Sequence, residues 1–256
     1  MHIEQCDVDA AFLYGKLEEE IYMKLPEGLQ ELMTLAEVEG EGDVVCLLLQ
    51  SLYGLKQASR VCNETIDKHL KSMVFKAADA DPCVYTRCEG DEECIVCVYV
   101  DDMLIASREE AVITSVKAGI AEKFKIKDLG QARYILGIEI DYDMENKLLR
   151  SSQQAYTESI IKKFGQENAK PSLIPIDPSV HLTKADEAQT NPGEKHWDAG
   201  IKVVRYLLKT KDVGNTYDGQ LETQLVAYSD ADWAGNRDDR RSVSGVMLLL
   251  CGAPVV

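Results

Sequence analysis

CIVCVYVDDMLIAS, residues 94 to 107, decides how this chain is read, together with PCVYTRC (82–88) and the polar tip EGDEE (89–93) before it. Two runs rich in β-branched and aromatic residues flank a turn containing Gly90, and that pattern predicts a β-hairpin. The second run carries two adjacent carboxylates, Asp101 and Asp102, behind the apolar VYV. Carboxylates set against apolar surface cost desolvation free energy unless something positive compensates. A divalent cation is the natural compensation, since magnesium takes oxygen ligands from one or two carboxylates plus substrate phosphates. The plain alternative is a hairpin whose end is merely acidic. Cys94 and Cys97 in the same run form a CxxC. In a strand their spacing turns them to opposite faces, which argues against a shared metal.

Working outward, HIEQCDVDAAFLYG (2–15) reads as a strand entering a turn or short helix. Its Asp7 and Asp9 lie two apart, so strand alternation points both to one face and offers a second acidic strand end. IYMKLPEG and VVCLLLQSLYG read as two short strands, and Val61, Ile66, Leu70 and Met73 recur at helical spacing between Lys56 and Phe75. REEAVITSVKAGIAEKF (108–124) predicts a helix, FKIKDLG and RYILGIEI further strands before LLRSSQ, and SQQAYTESIIKKFG a helix capped by Gly165. Pro171, Pro175 and Pro178 mark a linker over 170–195. HWDAGIKVVRYLLKT then resumes as a helix, and QLVAYSDADWAG and SVSGVMLLL predict two strands joined by NRDDRR. The class is α+β.

With 256 residues, 45% of them hydrophobic, the chain can fill one large or two modest cores. No apolar run approaches the roughly 18 residues of a membrane span, and MHIEQCDVDA lacks the order of a signal peptide, so a soluble intracellular protein is expected. The eight cysteines show neither a disulfide framework nor a zinc spacing. A net charge of -16 argues against a nucleic-acid binder, which needs a basic surface. The acidity is concentrated in runs such as EEE (18–20), EVEGEGD (37–43) and EGDEE (89–93), expected in solvated loops. No phosphate-cradling GxxxxGK[ST] or GxGxxG is present, which disfavours an unrelated phosphotransferase, and no GxSxG elbow appears.

Five segments, taken in order, resemble the reverse transcriptase portion of copia-type long-terminal-repeat retrotransposon polyproteins. DVDAAFLYGKLEEEIYMKLPEG resembles the first catalytic motif and its downstream segment, SLYGLKQASR the second motif and YVDD the third. KDLGQARYILGIEI resembles the stretch leading to the primer grip, and YSDADWAGNRDDRRSVSG the opening of RNase H. The resemblance implies a reverse transcriptase palm, an antiparallel sheet with packed helices, followed by a truncated RNase-H-like segment. It implies RNA-directed DNA polymerisation, in which a primer 3′-hydroxyl attacks the α-phosphate of a deoxynucleoside triphosphate with Mg2+ or Mn2+ as cofactor.

Carried over position by position, Asp7, Asp101 and Asp102 match the catalytic, metal-binding aspartates, and Asp9 falls at a position without a metal role. Phe12 resembles the aromatic that screens out a ribose 2′-hydroxyl, against the alternative of ordinary core packing. Gly54 matches the glycine that lets backbone approach the nucleotide, with Lys56, Gln57, Arg60 and Tyr99 as further nucleotide or template contacts. Asp230 resembles the first RNase H carboxylate, a vestigial one because the remaining ligands are not in the sequence. Template–primer and deoxynucleoside triphosphates are the implied partners, in the cytoplasm, a virus-like particle or the nucleus, without a membrane.

The sequence also departs from the family pattern. Ser59 stands where proline is usual and Cys62 where an aromatic is expected; only six residues precede Asp7, leaving no basic fingers segment; and the family pattern skips between Asp186 and Asn191. The expected organisation is a palm and start of thumb over 1–165, a linker with an internal deletion over 166–195, and a connecting helix with a truncated RNase-H-like hairpin over 196–256. Impaired polymerisation follows from these departures. The alternative function is a non-catalytic, palm-like interaction module.

Overall fold

The computed structural model describes residues 1–29, 45–90, 92–177, 179–180, 182, 193–221, 223–235 and 240–255. The skipped stretch at 186–191 and the EVEGEGD run therefore lie outside the described residues. The chain divides into two compact units, Met1–Ala132 and Arg133–Val256. Both are built from antiparallel sheets, with four α-helices among the described residues.

In the first unit the strands are β1 (His2–Val8), β2 (Tyr22–Lys24), β3 (Val45–Leu47), β4 (Lys76–Ala77), β5 (Val84–Glu89), β6 (Glu92–Tyr99), β7 (Asp102–Ser107) and β8 (Ile126–Gln131). Six of them form one sheet in the order β4-β5-β6-β7-β1-β8, while β2 and β3 pair separately. Helices α1 (Ala58–Ser72) and α2 (Glu110–Ala121) cover one face of the sheet. The sequence dictates which face. In β6, Cys94, Val96 and Val98 are buried and alternate with more exposed neighbours. In β7, Met103 and Ile105 do the same. Helix α1 supplies Val61, Cys62, Ile66 and Leu70 at one-turn spacing, and α2 supplies Val112, Ile113, Val116 and Ile120. Packed with Phe75, Tyr85 and Phe124, they form one continuous core. Burying a side chain such as Ile113, fully inaccessible here, is worth about 1.5–3 kcal/mol.

The run CIVCVYVDDMLIAS is not one strand. It reverses at Val100–Asp101, with Tyr99 paired to Asp102 across a two-residue turn, so the run is itself a hairpin. Composition hid this, because nearly every residue around the two aspartates is apolar, and only the structure shows the buried positions switching from 94, 96 and 98 to 103, 105 and 107 across the turn. RYILGIEI breaks in the same way at Leu136 and Gly137, whose φ values are 53° and 78°.

The second unit holds a four-stranded sheet, ordered β12-β11-β10-β9, from β9 (Tyr134–Ile135), β10 (Ile138–Asp143), β11 (Leu148–Ser152) and β12 (Asn215–Asp218). Helix α3 (Gln154–Lys163) packs on α4 (Glu194–Thr210). Gly165 closes α3 at φ 62°, and the N–H of Gln166 reaches back to the carbonyl of Ile161. Strands β13 (Val226–Ala231), β14 (Ser244–Leu250) and β15 (Ala253–Pro254) form a three-stranded sheet. No helix among the described residues is long and apolar enough to cross a membrane.

Candidate active site

Strands β1 and β7 run antiparallel as neighbours, and their register sets Asp7 directly opposite Asp102. Asp101 occupies the β6–β7 turn, and its carbonyl accepts the N–H of Val8 at 2.8 Å. Asp7 is thus brought to the same end of the sheet as the adjacent Asp101 and Asp102, far from it in sequence. Because Cys6 and Val8 are buried among the core residues, alternation turns Asp7 and Asp102 to the opposite face, away from the helices. Lys127 on β8 pairs with Asp7 from the other side.

Charge crowding leaves a signature. Burial, then the negative charges of Asp101, Asp102 and Asp9, hold the Asp7 carboxyl above the ordinary aspartate range, with Lys127 pulling weakly the other way. Burial likewise pushes the Cys6 thiol up to about 11, against the pull of Lys117. Asp9 does not join the three. Its carboxylate pairs with Lys125 at 2.7 Å, beyond the end of β1 where Ala10 takes a left-handed conformation.

The donor set suits a divalent cation. Carboxylate oxygens gathered on one sheet end match a hard ion. Among the described residues no three His, Cys, Asp or Glu side chains converge closely enough to hold an ion by themselves. One oxygen of Asp102 is engaged, since Gln5 donates its Nε2 hydrogen to Oδ1 at 2.9 Å. A magnesium site of this kind takes one or two carboxylates and completes itself with water and substrate phosphate, so an incomplete protein cage matches its demands.

The turn itself is strained. Val100 has φ 56°, a region that costs a β-branched residue on the order of 1–3 kcal/mol. Val100→Gly is therefore expected to raise stability by about 1 kcal/mol after glycine's own entropy loss, roughly 2–4 °C in the thermal midpoint. A lower midpoint in a melting experiment would show that the valine is not strained there.

The remaining residues named from sequence lie around this end. Phe12 sits in the 3-10 turn Ala11–Tyr14 and packs edge-on against Tyr53 at 4.7 Å. Gly54 adopts φ 94°, open to few residues but glycine. Gln57 is the residue before α1, Lys56 is exposed, and Arg60 pairs with Glu64 at 3.0 Å and Glu19 at 3.6 Å. Tyr99 is exposed and faces Asp102 across the turn. Phe12, Ser59, Cys62, Val98, Tyr99 and Val100 line a cavity of about 240 Å3 beside that turn. In the second unit, Asp230 lies on β13 opposite Gly245. Three neighbours of the cluster were not singled out from the sequence: Gln5, which lies outside the quoted motifs, and Lys127 and Tyr53, which lie inside them; the Tyr53 phenol is pushed up by burial and by Asp101. For Gln5 a signal existed, because position 5 shares a strand face with Asp7.

A family described as reverse transcriptase (RNA-dependent DNA polymerase) matches residues 1–178. The chain is similar to the retrovirus-related Pol polyprotein from transposon TNT 1-94 of Nicotiana tabacum, 34% identical over 298 aligned residues covering 100% of the chain and 22% of that polyprotein. It is also similar to the retrovirus-related Pol polyprotein from transposon RE2 of Arabidopsis thaliana, 28% identical with 99% of the chain and 19% of the relative covered. A transposon Ty5-1 protein of Saccharomyces cerevisiae is 28% identical over 97% of the chain and 90% of its own length. The chain spans about a fifth of the length of the two plant polyproteins.

Proposed function

This chain belongs to the reverse transcriptase (RNA-dependent DNA polymerase) family, as a fragment of the copia-type retrotransposon Pol kind, and we propose that its sheet end is a polymerase active site of reduced power. Asp7, Asp101 and Asp102 are the residues that would hold Mg2+ or Mn2+. Bound there, the ions supply the positive charge that lowers the pKa of a primer 3′-hydroxyl and steadies departing pyrophosphate. The protein's own part is to hold the three carboxylates together against their repulsion before substrate arrives, which the strained turn at Val100 and the β1–β7 register both serve. Phe12 would screen the sugar, Gly54 would let backbone approach the nucleotide, and Lys56, Gln57, Arg60 and Tyr99 would contact nucleotide or template.

The observation that carries this reading is the pairing of Asp7 with Asp102 beside Asp101, where burial and then the neighbouring carboxylates raise the Asp7 pKa. Reduced power is inferred from the departures from the family pattern at Ser59 and Cys62, both of which line the cavity beside the turn. The test is templated primer extension by the purified chain in Mg2+. Slow extension, abolished by Asp101→Asn, is the expected result; extension unchanged by that substitution would reject the reading.

Within this proposal, residues 1–165 are palm and start of thumb, 166–195 a linker, and 196–256 a connecting helix with an RNase-H-like opening hairpin. Asp230 is its vestigial carboxylate. Gaps within the chain are supported by the alignment to the tobacco polyprotein, whose 298 positions exceed the 256 residues present. We assign the protein to the cell interior with template–primer and deoxynucleoside triphosphates as partners. The net charge of -16 favours a second reading, a palm-like interaction module without catalysis. Nucleic-acid binding that weakens steeply with salt separates the first reading from the second.

A further inference from the structure

Gln5 is one of four buried polar or charged residues among those described, at 6% exposure. Two of the others serve the framework: Ser107 donates to the carbonyl of Glu93 at 2.8 Å, and Lys117 pairs with Glu4 and Asp128. Gln5 instead aims at the carboxylate cluster. It lies two residues before Asp7 on the same face of β1, and its backbone is flanked by Leu104 on β7 and Gly130 on β8. Its amide donates to Oδ1 of Asp102 at 2.9 Å, across 97 residues of sequence.

The local backbone is built around this contact. The β1–β8 pairing shifts register between Gln5 and Cys6, where Leu129 is the extra residue of a β-bulge. Bulges re-aim side chains beside functional sites. This one is held from behind, because the Gly130 N–H donates to Asp128 at 2.8 Å and Asp128 is itself bound by Lys117. A buried amide with one hydrogen bond to a carboxylate oxygen limits that carboxylate's rotation while leaving its second oxygen for a cation. Without the donor, Asp102 is free to turn away from its two like-charged neighbours.

We propose that Gln5 is a positioning residue for the divalent-ion site, orienting Asp102 through its side-chain amide as outer partners orient metal ligands elsewhere. The inference rests on the polymerase reading of Asp7, Asp101 and Asp102. It adds a residue that touches neither ion nor substrate.

The probe is Mn2+ binding to the purified chain, followed by the electron paramagnetic resonance signal of free Mn2+, with a thermal melt on the same samples. Gln5→Met keeps the length and removes the donor; Gln5→Asn keeps the amide but is too short to reach Asp102. Both are expected to weaken Mn2+ binding about tenfold, the lower end of what loss of an outer partner costs. Of the two, Gln5→Asn stays polar in a buried place and serves if Gln5→Met does not fold. A fall in melting temperature with an unchanged Mn2+ dissociation constant would make Gln5 a framework residue and overturn the proposal. Asp102→Asn in the same assay separates the two levels: if it leaves Mn2+ binding untouched, the metal-site reading fails, whereas binding lost in Asp102→Asn but kept in both Gln5 variants overturns the role of Gln5 alone.

Discussion

Asp7→Asn is expected to abolish divalent-ion binding at the sheet end while making the fold more stable. The carboxylate is held above its ordinary pKa by burial and by Asp101, Asp102 and Asp9, so ionising it in the folded state works against the fold. The sign follows from linkage. The folded pKa exceeds the unfolded value of about 3.9, so the destabilisation is fully present above the folded pKa and vanishes as pH falls toward the unfolded one. Asparagine removes it at neutral pH. Two like charges near 4 Å in water repel by about 1 kcal/mol, which sets the expected gain and a rise of roughly 2–4 °C in melting temperature. The wild-type and variant melting temperatures should converge near pH ~4. Extension activity, by contrast, should fall at least ~100-fold, since a lost metal carboxylate removes several kcal/mol of transition-state stabilisation. Such a trade of stability for function marks a site that works by holding like charges together. Equal melting temperatures at neutral pH, or ion binding retained, would contradict it.

Lys117→Met should be strongly destabilising to the first unit. The lysine is 7% exposed on α2 and reaches two strands, meeting Glu4 of β1 at 2.5 Å and Asp128 of β8. Burial alone would lower its pKa, yet hydrogen bonds to Asp128 and Glu4 outweigh that and hold it above the ordinary lysine value. Asp128 is correspondingly lowered, first by Lys117 and then by the Gly130 N–H. Removing one partner of a buried ion pair costs about 3–5 kcal/mol, and the more exposed Asp128 side chain reduces this to roughly 2–4. The melting temperature should fall by about 5–15 °C. Adding Glu4→Met should restore much of the loss, because the uncompensated carboxylate causes most of it. The Asp128 contribution is present above pH ~4 and fades as pH falls through its lowered folded pKa; the Lys117 contribution fades above pH ~10.5 as pH rises through its raised one. A melting temperature unchanged in Lys117→Met would mean the contacts contribute nothing.

Much of the fold is legible in the residues alone. The hairpin at Gly90, the helices carrying Ile66 and Ile113, the cap at Gly165 and the strands around Tyr228 and Val246 all follow from period and punctuation. The family is legible too, because several short motifs recur in the right order. Strand reversals inside apolar runs are not. At Val100 the chain turns on a β-branched residue with positive φ, against its ordinary preference, and at Leu136 only the following Gly137 marks the turn.

The amino-acid order by itself determined the elements, the buried face of each, and the family, since these depend on local periodicity and on side chains close in sequence. Only the tertiary structure decided that Asp7 stands opposite Asp102, that Gln5 reaches Asp102, that Asp9 is taken by Lys125, and that a buried lysine ties α2 to two strands. The physical reason is register. Which residues meet across strands roughly a hundred positions apart is set by the packing of the whole sheet on its helices, and a slip of one residue would send every one of these side chains to the other face.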